Sequence, residues 1–358
     1  MTSIPVLTYH SIAPGERLGP ERFAEHLAAL AGCGMPSLLP EDLDAARCGF
    51  LLTFDDGFAD LWTHGLPLLQ EYRVRAVVFA IPSRAGDGPP RPQGQRAFAG
   101  NANQAHAEAV TGEGAHPAFL RWSELVAMEK SGWVRVQSHS QKHAMGWVGD
   151  EIVGFHLGRS HWSLTQATGG DQRLGIPLYR RGSVLANRCY TDDPGLRDHL
   201  AGWLSGRGGE DYALQRGNAA TTSELRGEAQ RYLDEHAHGG RWESPEQRRA
   251  RTTEDLTRAR EVLEQRLGGA RDELCLPWGE YDPVTLECAR AAGIRRVYTL
   301  DRRPNPTGKI GFLVNRFEPR SRGPRWLQSR LWIYRSAWRT AFYGRLSGRE
   351  TRYRGAVS

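Results

Sequence analysis

The stretch Gly49-Phe50-Leu51-Leu52-Thr53-Phe54-Asp55-Asp56-Gly57 joins a short apolar run to two adjacent acids and a glycine. A run of this length, apolar at nearly every position, is the pattern of a strand buried on both faces, as in a parallel sheet or barrel. Two carboxylates at its end are electrostatically costly unless a cation or a proton lies between them. Gly57 permits the sharp turn that aims both into one cavity. Active sites of parallel α/β folds assemble at this end of the strands. Taken alone, an Asp-Asp-Gly triplet is more often an ordinary turn.

Outward from this stretch, strand and helix patterns alternate. Val6–Tyr9 reads as a strand. Residues 22–31 read as a helix with Phe23, Leu27 and Leu30 on one face, stopped by Gly32. Residues 61–72 suit a helix interrupted by Pro67, and residues 76–81 form a β-branched strand. Residues 86–117 are rich in Gly, Pro, Ala and Asn and read as a long loop or insertion. A short helix capped by Ser123 and ended by Gly132 then leads into a strand at 134–137. Residues 145–251 lose the rhythm and read as a large, partly helical insertion. Ser244-Pro245-Glu246-Gln247 starts a helix through a capping box. Its apolar stripe (Leu256, Ala259, Val262, Leu263, Leu267) runs to Gly268-Gly269. A helix at 283–292 and a strand at 297–300 follow. No internal repeat is present.

A second group of metal-competent residues follows the strand at 134–137: His139-Ser140-Gln141-Lys142-His143. Histidines four apart lie on one face of a helical turn, so both rings can meet one metal. With one aspartate they make a His₂Asp set that leaves positions open for water and substrate. The other aspartate is then free to take a proton from the activated water. An isolated pair of this spacing more often sits on a solvated helix face. Two such groups, each closing a strand of a β/α-patterned chain, support one another.

The chain has 358 residues, 39% hydrophobic and 25% charged, a globular composition rather than a disordered or fibrous one. Five cysteines without paired spacing argue against a disulfide framework and a zinc ribbon. The net charge is +6, much of it arginine near the C-terminus. Such a surface suits acidic partners, whether nucleic acid, anionic lipid or a phosphorylated substrate. No basic start followed by an apolar segment and no membrane-length apolar run occur, so the expected location is the cytoplasm.

These motifs resemble those of the polysaccharide deacetylase family (NodB homology, carbohydrate esterase 4). Thr53-Phe54-Asp55-Asp56-Gly57 matches its first motif and His139-Ser140-Gln141-Lys142-His143 its H-[ST]-x-x-H motif. Leu276-Pro277-Trp278-Gly279-Glu280-Tyr281-Asp282 resembles the turn that lines its substrate groove, and Leu7-Thr8-Tyr9-His10 the branch acting on poly-N-acetylglucosamine. The resemblance covers roughly residues 4–145 and 255–318. It implies an α/β fold, an irregular (β/α) barrel with fewer than the full set of strands and with long insertions. It implies Asp56, His139 and His143 as ligands of a divalent metal, zinc foremost, Asp55 as general base, Ser140 as a support of the histidine loop, and Pro277, Trp278 and Tyr281 as substrate-binding residues.

Two departures stand out. Many members carry an arginine two residues before the third-motif proline, orienting the catalytic aspartate; here that residue is Cys275, read as a small core residue. The later Leu-x-His motif, whose histidine is the general acid, has no counterpart, because no histidine follows His238 and the late stretch reads Phe312-Leu313-Val314-Asn315-Arg316-Phe317. His10, which also ends a strand, is the candidate acid, with a hydrogen-bonded histidine shaping the pocket floor as the equal alternative. His156 and His161 read as structural.

The expected organisation is a catalytic barrel over residues 1–318, with insertions at about 86–117 and 145–251, and a basic aromatic tail over 319–358. In the tail, Leu327, Leu331, Tyr334, Trp338 and Ala341 recur at helical spacing between arginines. This fits a helix packed on the barrel, or one lying in a membrane interface. The expected activity is metal-dependent removal of an acetyl group from an amino sugar in a polysaccharide or lipid-linked glycan. A peripheral contact with the inner face of the membrane is compatible, and no nucleic acid is expected. The alternatives are a deformylase or other deacylase and a catalytically impaired sugar-binding homologue.

Overall fold

A computed structural model describes residues 1–347, apart from Arg17, Gly112, Glu113, Arg159, Ser160, His238 and Lys309. The part of the expected tail beyond Ser347 lies outside the described residues. The strands are β1 (Val6–Tyr9), β2 (Ser37–Leu38), β3 (Phe50–Phe54), β4 (Ala76–Ala80), β5 (Val134–Ser138), β6 (Met145–Phe155), β7 (Pro177–Ser183), β8 (Tyr190–Thr191), β9 (Arg241–Trp242), β10 (Glu273–Cys275), β11 (Arg296–Thr299) and β12 (Leu313–Asn315). The described residues group into two compact units, one drawn from within 1–105, 114–143 and 253–347, the other from within 106–111 and 144–252.

In the first unit the strands run parallel in the order β1-β3-β4-β5-β10-β11-β12, with β2 beside β3. The chain leaving β12 returns to β1. Phe317 N–H donates to Val6 O at 3.0 Å, and Thr8 N–H donates to Phe317 O at 3.0 Å. That bridge closes the sheet into the irregular (β/α) barrel expected from the motifs.

The strands read as continuous apolar runs because both of their faces are buried. The pleat nevertheless sorts the side chains with a period of two. Phe50, Leu52, Phe54, Val78 and Val136 pack outward against helix Pro20–Ala31 and its neighbours. Leu51, Val77, Phe79, Cys275, Tyr298 and Val314 pack together on the opposite, inner faces. Lower in the barrel, Arg296 donates to Glu273 at 2.7 Å and the Tyr298 hydroxyl at 2.5 Å, which satisfies a carboxylate that is fully buried.

Several local expectations change. Pro67 does not interrupt the helix at 61–72. A wide π-helical turn, Leu61–Gly65, precedes it, so the proline enters helix Leu66–Glu71 in its first turn, where no N–H is needed. Helix Trp122–Ser131 is not capped by Ser123, whose hydroxyl donates to Gly88 O at 2.6 Å. The Glu124 side chain accepts from Arg121 N–H at 2.9 Å instead. The stretch at 86–117 contains a helix, Ala102–Thr111, whose low moment and small residues gave little periodic signal. The capping box at Ser244 forms as expected and opens helix Pro245–Leu267.

The second unit contains an antiparallel sheet in the order β7-β6-β8-β9. Helices Pro194–Ser205 and Asn218–Glu235 pack through Leu196, Leu200, Leu204, Leu225 and Ala229. The expectation of a partly helical stretch therefore missed a sheet. His156 and His161 are absorbed locally: His156 Nδ1 lies 3.2 Å from Arg173 O, and His161 caps helix Trp162–Ala167 by accepting from Ser163 N–H at 3.2 Å.

The outer core of the barrel is the most sensitive place to test this packing. Phe23 is fully buried and meets Tyr9 and Phe54 edge-on, with ring centroids at 5.4 and 5.5 Å. Phe23→Ala is expected to cost about 3–5 kcal/mol, read as a lower urea midpoint for loss of barrel structure.

Candidate active site

The pleat of β3 carries past its end. Leu51 and Thr53 face inward, so Asp55 does too, and it lies 4% exposed at the mouth of the barrel. Its backbone N–H is held by Tyr9 O at 2.8 Å. Asp56 follows with φ +69° and Gly57 with φ +73°, a left-handed turn that points the two carboxylates different ways. A Cβ on Gly57 would meet Ala80 Cα at 3.3 Å, so the turn also depends on the missing side chain.

The histidines do not lie on a helical turn. Ser140 and His143 both take left-handed backbone, φ +65° and +51°, and the loop is held by Ser140 Oγ accepting from His143 N–H at 3.0 Å. Left-handed conformations at non-glycine residues persist only where the surroundings impose them. Here they bring the rings together: His139 Nε2 and His143 Nε2 each lie 3.5 Å from Asp56 Oδ1. His139 Nδ1 is 3.0 Å from Cys275 O, which leaves Nε2 facing Asp56.

All three residues are buried, and one ligand atom from each lies within 4.8 Å of the other two. Ligands held about 2.0–2.1 Å from a tetrahedral zinc stand about 3.3 Å apart, close to the 3.5 Å found here. Burial pushes the His139 imidazole toward its neutral form, yet Cys275, Asp56 and Asp55 overcome this and raise its pKa well above the ordinary value. The pocket favours positive charge at this point, as a divalent-metal site does. The donor set and its electrostatics fit such an ion.

Asp55 has a separate partner that the motifs do not contain. Arg316, one pleat beyond the inward-facing Val314 of β12, donates from Nη1 to Asp55 Oδ1 at 2.7 Å and from Nη2 to Oδ2 at 2.9 Å. The guanidinium also donates to the hydroxyls of Thr8 and Thr53 at 3.0 Å and to Cys275 Sγ at 2.8 Å. Arg316 is 1% exposed. Burial works to raise the Asp55 pKa, but the Arg316 charge and then His139 outweigh it, holding the carboxyl at about 2 against an ordinary 3.8. Cys275 is thus buried, as expected of it, and also contacts the guanidinium. The sequence signal for Arg316 was its parity with Val314, masked by a strand only three residues long.

The remaining candidates separate in position. His10 follows β1, with Nε2 3.9 Å from Asp55 Oδ2 and Nδ1 3.7 Å from Glu318 Oε1, and its side chain is 42% exposed. Trp278 has φ +62° and sets its ring 5.1 Å from that of His143. Pro277 is buried. Tyr281 is also buried, and its hydroxyl donates to Asp301 at 2.5 Å. A further buried cation, Arg84, stands over the Phe119 ring at 5.3 Å. Burial pushes its pKa down to about 10, and the Asp56 charge opposes that shift.

The polysaccharide deacetylase family profile matches residues 46–189. Over this segment the chain resembles the polysaccharide deacetylase family. The Bacillus subtilis (strain 168) protein YxkH is 31% identical over 94 residues, 23% of this chain and 33% of that protein, so the chain spans about a third of the length of this relative. Among solved structures, IcaB from Ammonifex degensii is 20% identical with a TM-score of 0.52, covering 93% of this chain and 97% of that one. A de-N-acetylase from Aggregatibacter actinomycetemcomitans is 16% identical at 0.52, covering 88% and 94%. The BpsB deacetylase domain from Bordetella bronchiseptica is 18% identical at 0.53, covering 88% and 96%. At these identities the likeness is one of fold, the irregular barrel described above.

The Arg316–Asp55 pair makes a prediction about acid stability. A carboxyl with a depressed folded pKa stabilises the fold fully above its unfolded pKa, and the contribution is lost as pH falls toward 2. Arg316→Met leaves the buried carboxylate uncompensated and is expected to cost about 3–5 kcal/mol near neutral pH. Urea titrations across pH should show the gap from wild type narrowing below about pH 4.

Proposed function

We propose that this chain is a metal-dependent hydrolase that removes an acetyl group from the nitrogen of an amino sugar within a polysaccharide or lipid-linked glycan. The observation that carries the reading is the division between two adjacent aspartates. Asp56 converges with His139 and His143 on one point, while Asp55 is held apart and ionised by Arg316.

Asp56, His139 and His143 would hold the divalent ion, and zinc suits two imidazoles and one carboxylate, although other first-row metals accept the same set. When bound, such an ion polarises the amide carbonyl and acidifies a water, which lets even a weakly basic carboxylate accept its proton. Asp55 is the proton acceptor. Its pair with Arg316 keeps it charged at every working pH and fixes its direction. Ser140 maintains the histidine loop through its bond to His143 N–H. His10, the imidazole nearest Asp55 that also reaches solvent, gives a proton to the departing amine. Pro277 and Trp278 form the wall beside His143 against which a sugar ring can lie; Tyr281 acts behind them by fixing the turn through Asp301.

The barrel over 1–318 is the catalytic part in this reading, with residues 319–358 as an appended tail. A reading as an impaired sugar-binding homologue rested on two absences, the late motif histidine and the arginine before the third motif. Arg316 supplies a guanidinium to the same aspartate from another strand, which favours the enzyme.

The test is acetate release from N-acetylglucosamine oligomers and from a lipid-linked N-acetyl sugar by the zinc-loaded protein. Chelation is expected to abolish release and re-addition of zinc to restore it. Asp55→Asn is expected to lower turnover about 10²–10⁴-fold with metal still bound. No release by wild type with metal confirmed in place would redirect the reading to a different acyl group. His10→Ala is expected to slow turnover; an unchanged rate would eliminate it as the acid.

A further inference from the structure

The expected single C-terminal helix is two. Helix Pro324–Tyr334 ends at Arg335, and helix Ala337–Leu346 starts after Ser336. The break changes which residues are covered. Leu327, Leu331 and Tyr334 are buried, with Tyr334 stacked on Phe317 at 4.3 Å, and Thr340 and Gly344 continue the buried face. Trp338, expected on the same stripe, is instead 69% exposed.

Trp338 belongs to a second, outward face. Phe342 and Leu346 follow it at successive steps of four, 60% and 72% exposed, and Trp332 on the preceding helix is 53% exposed. Exposed large aromatics gathered this way mark an interaction surface rather than scattered surface apolarity. Its charge is one-sided: residues 319–348 contain arginine but neither aspartate nor glutamate. Arg339 lies over the Trp332 ring at 3.9 Å, while Arg335 and Arg345 are exposed beside it. Arginine among tryptophan and phenylalanine, without acids, is the composition of a helix lying in the headgroup region of an anionic bilayer. Among the described residues no helix is long and apolar enough to cross a membrane.

We propose that this face docks on an anionic membrane surface, with Trp338, Phe342 and Leu346 entering the acyl boundary and Arg335 and Arg345 meeting lipid phosphates. Hydrogen bonds fix where the face sits on the barrel. Ser3 N–H donates to Arg335 O at 3.0 Å, and Ala337 N–H to Met1 O at 3.1 Å. Residues 1–3 precede β1, so the docking face lies at the N-terminal end of the strands. Asp55, His139 and Arg316 follow the C-terminal ends of β3, β5 and β12. A docked molecule therefore turns its catalytic mouth away from the bilayer. Resting on the deacetylase reading, this orientation selects a glycan that extends from the surface over a sugar carried directly on a lipid headgroup.

The test is flotation of the full chain with vesicles of phosphatidylglycerol and phosphatidylethanolamine, against vesicles of phosphatidylcholine alone. Wild type is expected to float with the first and not with the second, and less as salt is raised. Trp338→Glu/Phe342→Glu should abolish flotation without shifting the melting temperature, since both side chains are exposed. Arg335→Gln/Arg345→Gln should weaken binding about fivefold per arginine. Both double variants should keep acetate release from soluble oligomers, which separates failure of docking from failure of the enzymatic reading. Unchanged flotation of both variants, equal binding to phosphatidylcholine, or binding to double-stranded DNA but not to the anionic vesicles would each overturn the proposal.

Discussion

A carboxylate cannot remain charged at the mouth of an apolar barrel unless a counter-charge meets it in fixed geometry. Arg316 imposes that condition on Asp55. Its two parallel hydrogen bonds, 2.7 and 2.9 Å, leave the carboxylate little freedom to rotate. Its further bonds to Thr8, Thr53 and Cys275 tie together side chains from β1, β3 and β10. The strand that carries Arg316 runs directly into the Phe317 bridge that closes the barrel onto β1. One arginine therefore links ring closure to the charge state of the site.

The same arginine resolves the like-charge conflict between Asp55 and Asp56. Neighbouring acids that shared one cavity would raise each other's pKa. The left-handed turn at Asp56 and Gly57 sends one carboxylate toward Arg316 and the other toward the two histidines. Each acid faces its own source of positive charge, so the two can do different chemistry. Backbone strain accompanies this separation, because Asp56, Ser140, His143 and Trp278 are all non-glycine residues with positive φ. Four such residues around one pocket is the pattern of a site whose geometry is held by its surroundings.

Much of the barrel was legible because its strands are buried on both faces and so read as apolar runs: Phe50–Phe54 and Ala76–Ala80 are buried at every position. The helix at Phe23, Leu27 and Leu30 was legible from its period, and the capping box at Ser244 from local chemistry alone. The second unit was not, because β8 and β9 are two residues each and pair across about fifty residues of sequence. Strands that short carry no alternation to read. The tail failed for another reason: helical spacing continued across the break at Arg335 and Ser336, so residues on different faces looked like one stripe.

What the sequence by itself determined were the chemical types and their order: two acids closing one apolar strand, two histidines closing another, and an arginine-rich, acid-free end. Those features are local, and adjacent residues or strand parity express them. Only the tertiary structure decided that a left-handed loop rather than a helix joins those histidines, and that Arg316 pairs with Asp55 beside Cys275. These depend on distances between residues up to 261 positions apart. Such distances are set by how the parallel strands register and close, a property of the assembled barrel that no single segment encodes.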